Sequence, residues 1–266
     1  MRAATATILV FLCLSAHGGV VLAATLAPHR ASYTLEPGGA RPGSDIIRAD
    51  GRMWVEVGKS CDGWLSSQRI KMAAFPREGA AINTDTAYTS WESFDGLQFR
   101  FATQTNRDGR AAERRAGHAT LERPGGPGQV ILTAPEKGTV DLSAGTVFPT
   151  RHLLEILDMA GAGKRQFSRT VFDGSTPQGS SDTSVLVLSH IPPGKVPDSG
   201  LGLPDIGRWN VQIAFYDPDN RNGAPDYEMS VRLFENGVAE AMVLDFGNFT
   251  VRASLEEFEF LPEPAC

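Results

Sequence analysis

Residues 225–266 read PDYEMSVRLFENGVAEAMVLDFGNFTVRASLEEFEFLPEPAC. Apolar and polar residues alternate through this stretch, the pattern of strands with one buried face. Asn236-Gly237 lies between two alternating runs and is a hairpin signal, because a type I′ turn needs positive φ at both central residues. Such a turn sets Leu233 opposite Glu240, Val231 opposite Met242 and Met229 opposite Leu244, so the apolar side chains share one face. A second turn at Gly247-Asn248 places Val251 beside Leu244 and Ala253 beside Met242. Beyond Leu255 the alternation slips, since Phe258 and Phe260 have the opposite parity to Val251 and Leu255. A bulge near Glu256-Glu257 explains the slip. One long bent strand from Asp245 onward is the other reading. Either way the stretch is a β-meander that stops on Cys266.

Upstream, strand patterns recur with turn residues between them. Ala31–Glu36, Ile46–Val57 and Cys61–Met72 read as the first three strands. Ile82–Phe94 and Leu97–Thr105 flank Asp95-Gly96, and Asn106–Gly109 forms a turn. Ala111–Glu122 is polar and reads as an edge strand, with Arg114 and Arg115 discouraging edge-to-edge pairing. Gln129–Thr133 is a short strand. The period then changes once. Leu153, Leu154, Ile156, Leu157 and Ala160 fall at helical spacing, which predicts a helix over about 150–160, capped by Thr150 and ended by Gly161. Arg165–Phe172, Asp182–Ile191 and Arg208–Tyr216 return to strands. Val185 and Val187 alternate with Leu186 and Leu188, as in a strand covered on both sides. Trp209, Val211, Ile213 and Phe215 share a face. The fold class is therefore all-β, a single many-stranded antiparallel sheet with one main helix laid on it.

The chain has 266 residues, of which 41% are hydrophobic and 21% charged, so it is neither disordered nor collagenous. Its formal net charge of −6, with no basic stripe, argues against a nucleic-acid partner. Residues 1–23 have the anatomy of a signal peptide: Arg2, then apolar Ile8–Leu14, then Val21-Leu22-Ala23 before the cleavage point. The apolar run is broken by Ser15, His17, Gly18 and Gly19, too early for a membrane span. Residues 24–266 then form one secreted domain with no transmembrane segment. Cys13 lies inside the apolar run, and Phe11-Leu12 before it lack the small residue that lipoprotein processing requires. Removing residues 1–23 leaves Cys61 and Cys266, an even count in an oxidising compartment, which points to a disulfide. Two free thiols are the alternative.

Motifs with catalytic or ligand-binding chemistry fail on inspection. Asp217, Asp219 and Glu228 occupy the first, third and twelfth positions of a calcium-loop pattern. However, Arg221 and Asn222 stand where Asp or Asn and Gly are needed, and strands flank the loop. A polar hairpin loop accounts for it. Gly161-Ala162-Gly163-Lys164 imitates a phosphate loop but follows a helix instead of preceding one, and Arg165 replaces the required Ser or Thr. His152 and Glu155 lie three apart on the helix, with His118 and His190 isolated; solvation or capping suits them better than metal. No nucleophile elbow is present, and consecutive Glu256-Glu257 should point to opposite faces of a strand. Asn248-Phe249-Thr250 is a glycosylation sequon, relevant only in a eukaryotic secretory pathway. Trp54, Trp64, Trp91 and Trp209 suit either an apolar pocket or plain core. The residues thus name no catalytic group, metal ligand or cofactor, and leave any ligand-binding residues unknown.

A set of short segments in order carries a family resemblance. These are Leu26-Ala-Pro28-His29-Arg30-Ala-Ser-Tyr33, Gly51-Arg52-Met53, Cys61-Asp-Gly63 and Phe99-Arg-Phe101. Phe148-Pro149-Thr150-Arg-His152 and Phe172-Asp173-Gly174 follow, then Pro225-Asp-Tyr227-Glu228, Glu235-Asn236-Gly237-Val238, Asp245-Phe-Gly-Asn-Phe249 and Cys266. Together they resemble the cell-envelope integrity protein EipB family of alphaproteobacteria, long listed as a domain of unknown function. Phe246 departs from the tyrosine often found there and keeps the aromatic ring. The resemblance implies a periplasmic β-spiral, an open curved barrel around a helix, similar to the sheets of the lipoprotein carriers LolA and LolB. It implies a disulfide between Cys61 and Cys266 and a role in maintaining the envelope under stress. It brings no catalytic residues. What it leaves to the residues is a partner: a periplasmic protein, or a lipid or lipoprotein held in the concave face of the sheet.

Overall fold

The computed structural model describes residues 25–175, 179–195, 200–217 and 223–266. The segment expected to be a signal peptide, residues 1–23, lies outside them, as do residues 218–222 of the calcium-like loop. Strands β1 (His29–Ala40), β2 (Ile46–Lys59), β3 (Gly63–Pro76), β4 (Ile82–Ser93), β5 (Gln98–Arg107), β6 (Arg110–Leu121), β7 (Gly128–Ala134) and β8 (Gly138–Leu142) run as an antiparallel meander. After the two-residue β9 (Thr146–Val147) comes helix α1 (Pro149–Gly161). A second meander follows: β10 (Gln166–Phe172), β11 (Ser180–Ile191), β12 (Arg208–Tyr216), β13 (Tyr227–Phe234), β14 (Ala239–Asp245) and β15 (Phe249–Phe260). Because β15 pairs with β1, the two meanders join into one fifteen-stranded sheet, ordered β8 to β1 and then β15 to β9. The sheet rolls into a nearly closed barrel with α1 inside it.

The register of the C-terminal strands follows the expected pattern with one correction. Val231 pairs with Met242, Met229 with Leu244, Leu244 with Val251 and Met242 with Ala253. The turn at Gly247-Asn248 is therefore real, and the single-bent-strand reading falls. The bulge is also where the parity slip placed it: Tyr33 faces Leu255 while Ser32 faces Glu257, leaving Glu256 unpaired. Both glutamates reach outer-face partners, Glu256 to Arg52 and Glu257 to Ser32, so the bulge cancels the opposite-face expectation. The correction is at Asn236-Gly237. Only Gly237 has positive φ, Phe234 N donates to Val238 O, and Leu233 faces Ala239. The loop is three residues long, and a bulge at Glu240 restores register. That bulge turns Glu240 outward onto Arg208 at 3.2 Å and Arg232 at 3.4 Å.

β6 is not the edge strand of the sheet, since its second half, Ala116–Leu121, pairs with β7 as well as β5; among the described residues its first half runs past β7 with one side unpaired, and Arg114 and Arg115 stand on that open side. The edges are β8 and β9, both short, which limits strand addition. Neither was legible as a strand, being five and two residues long. β11 is covered on its inner face alone, and Leu186 and Leu188 are exposed. The seam between the edges is filled by phenylalanines. Phe99 and Phe101 of β5, Phe148 before the helix and Phe172 of β10 are all buried, with ring centroids 4.9 Å apart for Phe99–Phe148 and 5.5 Å for Phe101–Phe172. Gly174 sits beside them with φ of +74°, and a Cβ there would run into the Phe101 ring.

Helix α1 is capped differently from its local sequence signal. Phe148 is the N-cap residue and makes no side-chain cap bond. Instead the buried Glu92 of β4 accepts Thr150 N at 2.7 Å and Arg151 N at 2.8 Å. A strand thus supplies the cap, satisfying two of the orphan donors of the first turn. The helix ends at Gly161, but the left-handed residue is Gly163. Lys164 N donates to Met159 O and Gly163 N to Ala160 O, a Schellman arrangement. The phosphate-loop mimic is this C-cap, where the dipole repels anions.

Cys61 and Cys266 are bonded, with Cα atoms 5.7 Å apart. The bridge ties the β2–β3 turn to the tail after β15. Leu261 N donates to Pro28 O at 2.9 Å and Lys59 meets Glu263 at 3.1 Å, so the tail is held along its length.

Candidate functional site

Inward-facing side chains of the sheet and one face of α1 line a partly open cavity of about 530 Å³. Its walls differ. On β12–β14 they are apolar: Ile213, Phe215, Met229, Val231, Leu233 and Met242. This is the face that alternation marks in the sequence. Helix α1 adds Pro149, Leu153 and Ile156. Across the barrel, β3–β5 present Ser66, Gln68, Thr86, Tyr88 and Thr103. The signal for this polar wall was short, two polar residues at alternate positions on each strand (Ser66 and Gln68, Thr84 and Thr86, Thr103 and Thr105), and alternation alone does not say which parity faces inward.

Two tyrosines cross the interior and brace it. Tyr33 Oη donates to Ala239 O at 2.8 Å, linking β1 to β14. Tyr88 Oη donates to Asp173 O at 3.1 Å, linking β4 to the β10–β11 turn. Burial pushes both phenols above their ordinary range, so they stay protonated donors.

The histidines behave as buried neutral groups. His152 is 6% exposed and lines the cavity, against the expectation of a solvated or capping residue. Its Nε2 lies 3.3 Å from Thr183 Oγ1, and burial pushes its pKa down to about 4. Glu155, its expected companion, instead pairs with Arg151 at 3.1 Å and Arg169 at 2.6 Å. His29 also faces the cavity; its Nδ1 is 2.7 Å from Ala27 O, and burial lowers its pKa. His190 pairs with Glu235 at 2.9 Å, far along the chain from either. Among the described residues no three His, Cys, Asp or Glu side chains gather as a metal site. Glu92, pushed up to about 7 by burial, has both carboxylate oxygens directed at the helix N-terminus. The four tryptophans do not converge. Trp64 and Trp209 pack at the margin of the helix-side core, while Trp91 lies under Arg100, 4.7 Å from ring centre to guanidinium. Among the described residues, no helix is long and apolar enough to cross a membrane.

A larger depression of about 910 Å³ opens near the far ends of β1–β5. Its lining mixes Glu36, Asp50, Arg52, Lys71 and Asp85, and Asp85 is taken by Arg69 at 2.7 Å. The interior cavity, with a continuous apolar wall and polar groups opposite, has the composition of a small-molecule site.

Known proteins share this architecture. The chain matches the EipB-like family over residues 21–262. It is 31% identical to the cell envelope integrity protein EipB of Brucella abortus over 97% of this chain and 92% of that protein. It is also similar to a solved beta-barrel-like protein of a domain of unknown function from Brucella abortus. That likeness has a TM-score of 0.82 at 32% identity, covering 90% of this chain and all of the other.

Proposed function

The chain belongs to the EipB-like family, and on that premise we propose that it is a non-enzymatic periplasmic factor of envelope integrity that binds an apolar envelope molecule inside its barrel. The relative's name supplies the envelope role. Residues 1–23 act as a cleaved signal peptide in this reading, and residues 24–266 as one periplasmic domain. The Cys61–Cys266 bridge is in keeping with an oxidising compartment. The observation that carries the binding half is the interior cavity of about 530 Å³, which lies within the usual range for small-molecule sites.

Native mass spectrometry of the protein taken from envelope extracts tests it. A bound mass is expected, and Met242→Trp, which fills the apolar wall, should remove it. Protein that emerges empty, under conditions that keep lipid on a known carrier, would overturn the binding half.

A protein partner is the second reading. Leu186, Leu188 and Val243 are exposed on outer strand faces, where a partner would cover them. Crosslinking in intact envelopes followed by capture should then recover one reproducible partner, lost in a Leu188→Glu variant.

A further inference from the structure

The polar wall of the cavity contains two underused groups. Among the described residues, Thr103 Oγ1 is buried and has no hydrogen-bond partner. Gln68 Nε2 has Met53 Sδ at 3.2 Å, a thioether and thus a weak acceptor. Both residues line the cavity. Strand register puts them in one row: Gln68 faces Tyr88, and Tyr88 faces Thr103. Two strand spacings separate them, roughly 10 Å, with the Tyr88 ring between. A buried hydroxyl left unpaired is destabilising, so such groups normally meet a partner. Half the barrel away, Met229, Val231 and Met242 offer aliphatic surface and no polar side-chain group.

Charge is scarce around the same space. His29 and His152 are held in the neutral form by burial. Asp173 accepts Ser175 N through Oδ1 at 2.8 Å and lies at the β10–β11 turn. The Tyr33 and Tyr88 hydroxyls donate to backbone oxygens, so neither phenol proton is available to a ligand. An anion carried into this cavity would lose water without gaining a counter-ion, and a cation would find a single carboxylate, the half-buried Asp173 at the β10–β11 turn. A hydroxyl, ester or amide would gain partners.

We propose, resting on the cavity-binding reading above, that the barrel holds an uncharged amphiphile. Its hydrocarbon chain lies on the methionine-lined wall of β13–β14, and its neutral polar head is bonded by Thr103 and Gln68.

The test uses the purified full chain and three probes with one twelve-carbon chain, each below its micelle concentration. They are monododecanoylglycerol, dodecanoate and dodecyltrimethylammonium, followed by titration calorimetry. The neutral probe should bind at least about ten-fold more tightly than dodecanoate, which meets no counter-ion, and more tightly than dodecyltrimethylammonium, whose one counter-ion is Asp173. Thr103→Val, close to isosteric, should weaken the neutral probe about three- to ten-fold and leave the ions unchanged. Thr103→Ser should restore it. Circular dichroism on each variant establishes that the sheet is intact, and Gln68→Leu gives a second measurement should Thr103→Val fail to fold. Equal binding of all three probes, or no response to either substitution, overturns the neutral-head inference while leaving the cavity as a binding site. No binding of any probe overturns both readings. Binding that survives Met242→Trp unchanged moves the ligand out of the cavity and overturns both as well.

Discussion

Replacing Glu92 with glutamine separates two effects that act on one carboxylate. Glu92 is 2% exposed and accepts the N–H groups of Thr150 and Arg151 at 2.7 and 2.8 Å. Those bonds favour the ionised form, and burial opposes it. Burial prevails, raising the pKa from 4.5 to about 7. The folded chain therefore holds the proton more tightly than the unfolded chain. The resulting stability is fully present below about pH 4.5 and is lost as pH rises through about 7. A shift of this size corresponds to roughly 3 kcal/mol, or about 6–12 °C in midpoint for a chain of this length. His152 titrates in the opposite sense, so the wild-type profile alone is ambiguous. The informative quantity is the difference in unfolding free energy between wild type and Glu92→Gln, from urea titrations between about pH 4.5 and pH 8. The wild type should start ahead, because the hydroxyl oxygen of the protonated carboxyl can still accept the second helix N–H whereas an amide nitrogen cannot, and its lead should shrink by roughly 3 kcal/mol across the range. A lead that stays constant would refute the dominance of burial. A lead that grows with pH would show that the helix N–H groups hold the charge.

The remaining predictions concern the clasp, the seam and the cavity histidine. Replacing Cys61 and Cys266 together with serine opens a loop spanning 205 residues and should cost about 5 kcal/mol, lowering the midpoint by roughly 10–20 °C; a shift of only a few degrees would refute the chain-entropy account. Gly174→Ala forces a Cβ into the buried Phe101 ring at positive φ and should destabilise by about 2–5 kcal/mol by denaturant titration, whereas a neutral result would mean the turn relocates. His152→Met should remove an acid sensitivity. The His152 pKa is lowered from 6.5 to about 4, so its contribution is present above 6.5 and lost as pH falls through 4. The variant should unfold at lower pH than wild type, and an unchanged acid midpoint would place the histidine in water.

Much of the fold could be read locally. The pairs Met229–Leu244, Met242–Ala253 and Leu244–Val251 follow from alternation and turn position, and the bulge at Glu256 follows from a parity slip. These succeed because a strand with one buried face leaves no freedom to shift by a residue. Local reading failed where the deciding partner is remote. The polar β6 looks like the sheet edge, yet β7 covers its second half and the shorter β8 ends the sheet, so only the first half, with Arg114 and Arg115, keeps an open side. Thr150 looks like a cap, yet Glu92, fifty-eight residues earlier, does the work. Asn236-Gly237 looks like a two-residue turn, yet a three-residue loop forms and the bulge at Glu240 lets that carboxylate reach Arg208.

The cavity shows the same division. Its apolar wall on β12–β14 was visible as Ile213 and Phe215, which continue the alternation of Trp209 and Val211 in the helix-side core, and as the hairpin that follows. Its polar wall was not, because Gln68, Tyr88 and Thr103 are ordinary strand residues until closure of the sheet makes their side the inner one. By itself, the sequence determined an all-β chain with one helix and two paired cysteines, since period, turn chemistry and cysteine count are local or countable properties. Only the tertiary structure decided which strands are edges, what caps the helix and which side chains face the interior cavity. Those depend on contacts between residues far apart in the chain, and no local pattern encodes which of two sheet faces the barrel will close around.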